Sequence, residues 1–295
     1  MPPRQTAADF DPEVLKLFDQ YVHGRLSRRG FLASAGQYAV GGATAAGLLG
    51  ALSPSFAAPI VDAADSRIKA RYVEYPSPQG NGTARGYLVE PAKAKGKLPL
   101  VLVAHENRGL NPHIEDIARR LALDGFIAFA PDALFPLGGY PGDEDKARAL
   151  FGKLDANKTR ADFVAAAQLL EKLPEGNGKV GVVGFCWGGG IANYLATQLP
   201  ELAAAVPFYG AQPAPADAAR IKAPLLIHDA GNDERIRAGW PAYEKALKEA
   251  GVAYQYFVYP GVEHGFNNDT TPRFDAAAAK LAWQRTLDFL HAKLG

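Results

Sequence analysis

Sulfur is almost missing from this chain. Of 295 residues, one is cysteine, Cys186, and one is methionine. A lone cysteine excludes an internal disulfide, a Cys-x-x-Cys redox pair and the cysteine-based zinc signatures. No run of Lys or Arg is long enough to follow a phosphate backbone, and the formal net charge is only +1, so a nucleic-acid partner is not expected. No internal repeat is present. Nor does a Gly-x-Ser-x-Gly sequence occur anywhere, which excludes a serine-esterase elbow. The 31 glycines and 22 prolines are scattered between periodic segments and punctuate turns instead of forming low-complexity tracts. What remains is 48% hydrophobic and 21% charged, the composition of a soluble globular protein that buries a full core. The length suits one large domain or two small ones.

The first 57 residues read as an address. Arg28 and Arg29 precede Phe31 and Leu32, a weakly apolar stretch rich in Gly and Ala follows, and small residues Ser55 and Ala57 flank Phe56. Charged end, apolar middle and small-residue cleavage site is the order of an export signal. "SRRGFLAS" resembles a twin-arginine signal, which implies the twin-arginine translocation machinery as a partner, cleavage after Ala57 and a periplasmic or secreted protein. The stretch 33–52 is long enough to span a membrane, but its Gly, Ser, Ala and Gln content makes insertion poor, and no stable span is expected in the mature form. Within this leader, "DPEVLKLFDQYV" has the spacing of a short amphipathic helix. Loss of the five basic and four acidic residues before position 58 leaves 27 of each, so strong electrostatic steering is not expected.

From residue 65 onward, strand and helix patterns alternate. Residues 67–75 and 84–90 alternate polar and apolar positions, as in a half-exposed hairpin. Continuous apolar runs at 98–106, 126–132, 178–185, 202–210, 223–231 and 253–261 read as strands, those over 98–106 and 178–185 as covered on both faces. Helical spacing appears over 114–125, 159–173, 188–199, 240–251 and 273–294. This predicts an α/β fold with a mostly parallel central sheet of about eight strands and helices on both faces. Reactive residues should then lie at the carboxyl ends of the strands.

Cys186 sits at such an end, in the pattern Gly184-x-Cys186-x-Gly188 between a strand and a helix. A sharp strand-to-helix turn needs small neighbours, lifts the central side chain clear of the sheet and aims a helix N-terminus at it. That environment favours a thiolate and a developing oxyanion, with the Trp187 N–H as the natural first donor. A thiol needs a base. Among six histidines, His264 lies on the loop after the last strand. His23 belongs to the leader, His291 to the solvated face of the last helix, and His228 to a strand interior where it should be packed and hydrogen-bonded. The carboxylate that fixes the imidazole tautomer is Asp233 in "GNDERI", preferred over Asp229 at the strand terminus. Cysteine, acid, histidine is the chain order of the α/β-hydrolase fold.

"GFCWGGG", "GNDERI", "YPGVEHGF" and "AHENRGL" together resemble the dienelactone hydrolase family over about residues 65 to 295. The resemblance implies a carboxymethylenebutenolidase-like hydrolase of carboxylic esters or lactones, with a Cys186–His264–Asp233 triad, a thioester intermediate and no cofactor or metal. It implies that Glu106 touches the resting thiol and helps deprotonate it when substrate binds. The loop bearing Glu106 is also where a second oxyanion N–H belongs, here from Asn107. His105, Glu106, His113 and Asp116 fit no zinc spacing. The family's carboxylate-binding arginines are replaced at the matching places by "HGFNND" and "PDALFPLGGYPG". Arg108 or Arg273 could substitute. Phe135, Tyr140, Trp187 and Tyr209 suggest a more apolar, aromatic pocket. The rival expectation is a catalytically silent exported binding protein of the same fold.

Overall fold

Leu100, Val101, Leu102 and Val103 are all fully buried, the leucines in one hydrophobic cluster and the valines in another. Successive residues of a strand face opposite ways, so a strand covered on both sides reads as an unbroken apolar run. The computed structural model describes residues 5–39 and 44–295. Its strands are β1 (Ile68–Ser77), β2 (Gly82–Pro91), β3 (Leu98–Ala104), β4 (Ile127–Pro131), β5 (Gly176–Phe185), β6 (Ala204–Phe208), β7 (Leu225–Ala230) and β8 (Tyr254–Tyr259). They form one sheet in the order β1-β2-β4-β3-β5-β6-β7-β8. The opening hairpin β1–β2 and the β2–β4 pair are antiparallel, and every pairing from β4 through β8 is parallel. This is the expected α/β-hydrolase-like architecture.

Helices α4 (Pro112–Leu123) and α10 (Ala276–Leu294) cover the valine face; α6 (Ala156–Glu171), α7 (Trp187–Gln198) and α9 (Trp240–Glu249) cover the leucine face. Two further helices were not apparent in the apolar periodicity: α5 (Glu144–Phe151), which buries only Ala147, and the single turn α8 (Glu234–Arg237).

The N-terminal segment is folded. Helix α1 (Pro12–Val22) matches the amphipathic pattern of the leader, with Asp11 accepting from the Glu13 N–H as its cap and Pro12 at the first turn. It is followed by α2 (Arg28–Ala35), which contains Arg28 and Arg29, and α3 (Ala45–Leu52). Phe18, Tyr21, Phe31, Leu49 and Leu52 form a separate small core among these helices. Residues 40–43 of the weakly apolar stretch, and 1–4, lie outside the described residues. No described helix is long and apolar enough to cross a membrane.

The segment docks on the α/β unit, with α1 meeting α5 of that unit. Val22 O accepts from Asn107 Nδ2 at 2.9 Å, and Tyr21 O accepts from Arg148 Nη1 at 2.9 Å. Arg28 pairs with Asp145 at 2.5 Å, and the Tyr21 hydroxyl donates to the same carboxylate. The guanidinium of Arg273 lies over the Phe18 ring, 5.1 Å from its centroid.

Candidate active site

Cys186 is the residue between β5 and α7, with φ 56° and ψ −113°. Positive φ is strained for a side chain with a Cβ. The strain is held by its surroundings: the Cys186 N–H donates to Phe208 O at 3.0 Å. A Cβ added at Gly184 would collide with the Gly188 carbonyl, and one at Gly188 with the carbonyls of Ala104 and His105. The two glycines of the pattern are therefore dictated by close approach of backbone to backbone. Trp187 begins α7, so its N–H lies among the donors of the helix's first turn that have no intrahelical partner. Its indole packs away from the sulfur, stacked on His105 at a centroid distance of 5.3 Å.

His264 and Asp233 come to the same rim. His264 Nδ1 lies 2.5 Å from Asp233 Oδ2, and both side chains are buried. Asp233 also caps α8, accepting from the Ile236 N–H at 3.2 Å, which fixes its orientation. His264 Nε2 is buried without a hydrogen-bond partner. Cys186 Sγ and one ring nitrogen each of His264 and His23 all lie within 4.8 Å of one another. Burial alone would push the Cys186 thiol up. The charge of His264 and the hydrogen bond with His23 outweigh it and bring the thiol down to about 6. Burial also works against the imidazolium of His264, yet the thiolate and Asp233 raise it to about 10. The two shifts are halves of one coupling, and together they describe a thiolate–imidazolium pair at neutral pH.

The arrangement brings together some of the expected residues and separates others. Glu106, Asn107, Arg108, Tyr140, Arg273, Cys186 and His264 share a cavity of about 320 Å³. The carboxylate of Glu106 accepts from Asn268 Nδ2 at 2.9 Å, whereas the hydrogen-bonding contact made by the sulfur is with His23 Nε2, at 3.5 Å. Arg108 donates to Val22 O and to Asn107, and its Nε is 3.5 Å from Glu144. Phe135 does not line this cavity; it lies beneath the Arg85 guanidinium, 4.8 Å away. Tyr209 is fully buried behind the histidine, its ring 4.9 Å from that of His264, and also lies off the wall. The expected Tyr140 lines the cavity together with Phe18, Tyr21 and Phe56, and charged groups (Arg28, Arg108, Arg273, Glu144) line it as well. Asp229 stays at the buried end of β7 beside Tyr256, and burial raises it to about 7. His228 is the packed, doubly bonded histidine expected, contacting Tyr259 at 2.9 Å and Thr286 at 3.2 Å.

Sequence reasoning set His23 aside with the leader and gave no role to Asp19, Arg235 or Asn268. The four-residue spacing of Asp19 and His23 on one helix face was visible. Nothing in it told that α1 would lie across the rim. His105, Glu106, His113 and Asp116 do not gather; His105 bonds the Glu106 carbonyl and His113 pairs with Asp269. Among the described residues, the donors close enough to share a metal ion are His23, Cys186 and His264, which are the reactive groups themselves.

The sheet order and the strained elbow at its centre define an α/β-hydrolase-fold protein. The chain belongs to the dienelactone hydrolase family, whose profile matches residues 84–294. A second profile, YqhI-like, matches residues 1–41. Over 258 residues, covering 82% of this chain and 94% of the relative, the chain is 34% identical to "Putative carboxymethylenebutenolidase" of Escherichia coli K12. It is 56% identical over 113 residues to the "Putative hydrolase fragment YghX" of the same organism, covering 38% of this chain and 97% of that one. The solved structure of a "Putative Dienelactone Hydrolase" from Klebsiella pneumoniae superposes with a TM-score of 0.67 at 30% identity, covering 76% of this chain and 99% of the other. The chain is a dienelactone hydrolase-like hydrolase.

Proposed function

We propose that the chain hydrolyses carboxylic esters or lactones through a Cys186 thioester. The observation that carries this reading is the convergence of Sγ, the His264–Asp233 pair and an α-helix N-terminus on one cavity. The thiolate attacks the carbonyl carbon and a C–S bond forms. The N–H groups of Trp187 and Asn107 hold the oxyanion. The C–O bond breaks and the imidazolium of His264 protonates the leaving oxygen. Neutral His264, oriented by Asp233, then takes a proton from water as the new C–O bond forms and the thiolate leaves. Glu106 is kept as a modulator of the thiol, acting when substrate displaces its bond to Asn268. No cofactor enters any step.

Arg273 favours an anionic substrate. It is 7% exposed, it lines the cavity, and its Nε and Nη1 have no hydrogen-bond partner. Buried guanidinium N–H groups without a partner are matched best by a carboxylate. The test is a panel of esters and lactones, with and without a neighbouring carboxylate, assayed on wild type and Cys186→Ala. The expected result is turnover that is lost in Cys186→Ala and is greatest for anionic lactones. Turnover that survives in Cys186→Ala would contradict the mechanism, and equal rates on neutral and anionic substrates would remove the role of Arg273.

Export is a separate proposal, resting on Arg28-Arg29 and the small residues before Ala57. Cell fractionation with N-terminal sequencing decides it. A periplasmic chain beginning at Ala58 supports it, and a cytoplasmic chain that retains α1 and α2 opposes it.

A further inference from the structure

Helix α1 does more than cover the cavity. Asp19 and His23 lie one turn apart, and His23 Nδ1 sits 2.8 Å from the Asp19 carbonyl and 3.1 Å from its carboxylate. A carbonyl oxygen can only accept, so Nδ1 carries a proton and Nε2 is the atom presented to Cys186 Sγ at 3.5 Å. His264 is held in the same way from the other side, through Nδ1 and Asp233. Two Asp–His pairs, from opposite ends of the chain, thus address one sulfur. The two rings meet edge to face with centroids 4.8 Å apart, and Arg235 Nη2 reaches both, at 3.3 Å each. The side chain of His23 is 12% exposed. Phe18 and Tyr21 of the same helix form part of the cavity wall beside Cys186.

We propose that Asp19 and His23 form a second catalytic dyad, delivered to the nucleophile by the N-terminal helical segment. This deepens the thioester reading above and concerns the chain that retains α1. The Sγ proton goes to Nε2 of His264 and the electron pair stays on sulfur, while His23, protonated at Nε2 from solvent, donates to the thiolate. His23 holds the thiolate as the neighbour that the family resemblance would otherwise assign to Glu106. In acylation the C–S bond forms, the C–O bond breaks, and the proton held by His264 goes to the leaving oxygen, while His23 keeps its own. Water restores that proton as the thioester is cleaved. The histidine's environment supports this role: burial opposes its charge, but hydrogen bonds with Asp19 and Cys186 raise it above the ordinary imidazole value. The charged and titratable groups facing it are Asp19 on its own helix, Cys186 at the elbow, Arg235 on α8, and His264 and Arg273 on the loops after β8.

The test is the pH dependence of iodoacetamide alkylation of the full chain. His23→Gln should move the alkylation midpoint upward by about one unit, which slows alkylation about tenfold at pH values below the midpoint and less than about twofold at neutral pH, since one pKa unit is tenfold in thiolate only where the thiol is mostly protonated. Asp19→Asn should move the midpoint the same way by less. Glu13→Gln, on the exposed side of α1, should leave it in place. A wild-type rate and midpoint in a folded His23→Gln, checked by circular dichroism, would overturn the proposal. If that variant unfolds, an unchanged midpoint in Asp19→Asn does so. Ester turnover lost in Cys186→Ala while His23→Gln behaves as wild type would leave the thioester reading intact and remove this one.

Discussion

Cys186 is asked to be a thiolate at neutral pH while buried, and burial alone works against that. The opposing term is the pair of imidazoles beside it, and the sign is plain. A thiol brought down to about 6 and a His264 imidazole raised to about 10 leave the ion pair as the main state between those limits. The expected outcome is an alkylation rate that rises with a midpoint near 6 and is flat across neutral pH. A midpoint near 9, the unperturbed thiol value, would show that the sulfur does not feel the imidazoles. Asp233→Asn should lower kcat by about a thousandfold or more while leaving substrate binding nearly intact, because the imidazole then loses its tautomer and its charge partner. Equal kcat in both proteins would remove Asp233 from the mechanism. These residues were legible in the sequence because each occupies the end of a different strand. His23 was not, because the chemistry of an appended helix depends on where it docks, and the docking groups Tyr21, Asp145 and Arg148 carry no motif.

At the scale of elements, the elbow is the most constrained part of the molecule. The strand β5 and helix α7 approach so closely that Gly184 and Gly188 leave no room for a methyl group. Gly184→Ala should therefore lower activity at least a hundredfold, through displacement of the nucleophile, and destabilise the fold by about 1–3 kcal/mol, as overpacking does. Thermal denaturation and ester turnover check the two parts, and an alanine variant with normal rate and stability would refute the account of the turn. The strands were readable because the alternation of leucine and valine sides, or the unbroken apolar run, survives any tertiary arrangement. Helix α5 was not readable: it buries only Ala147, and its remaining work is to present Asp145 and Arg148 to the N-terminal segment. Which aromatic residues line the pocket was not readable for the same reason. Phe135 sits under Arg85 and Tyr209 behind His264, while α1 brings in Phe18 and Tyr21 and α2 and α5 bring in charge.

The whole molecule is a catalytic α/β unit with a helical segment seated across the mouth of its site. The segment has its own small core and is tied down by Asn107, Arg148 and Asp145. A cavity of about 320 Å³ remains beneath it, enough for a small ester or lactone. The covered site and the thiolate at its centre favour a reaction shielded from bulk water, in which acyl transfer to sulfur precedes hydrolysis. The most direct measurement is intact-mass and peptide analysis of the full chain, quenched by acid during turnover of p-nitrophenyl acetate. The account predicts one acetyl group on the peptide containing Cys186, absent in Cys186→Ala, which should also lose turnover. An unmodified Cys186 peptide during turnover, with activity persisting in Cys186→Ala, would contradict it.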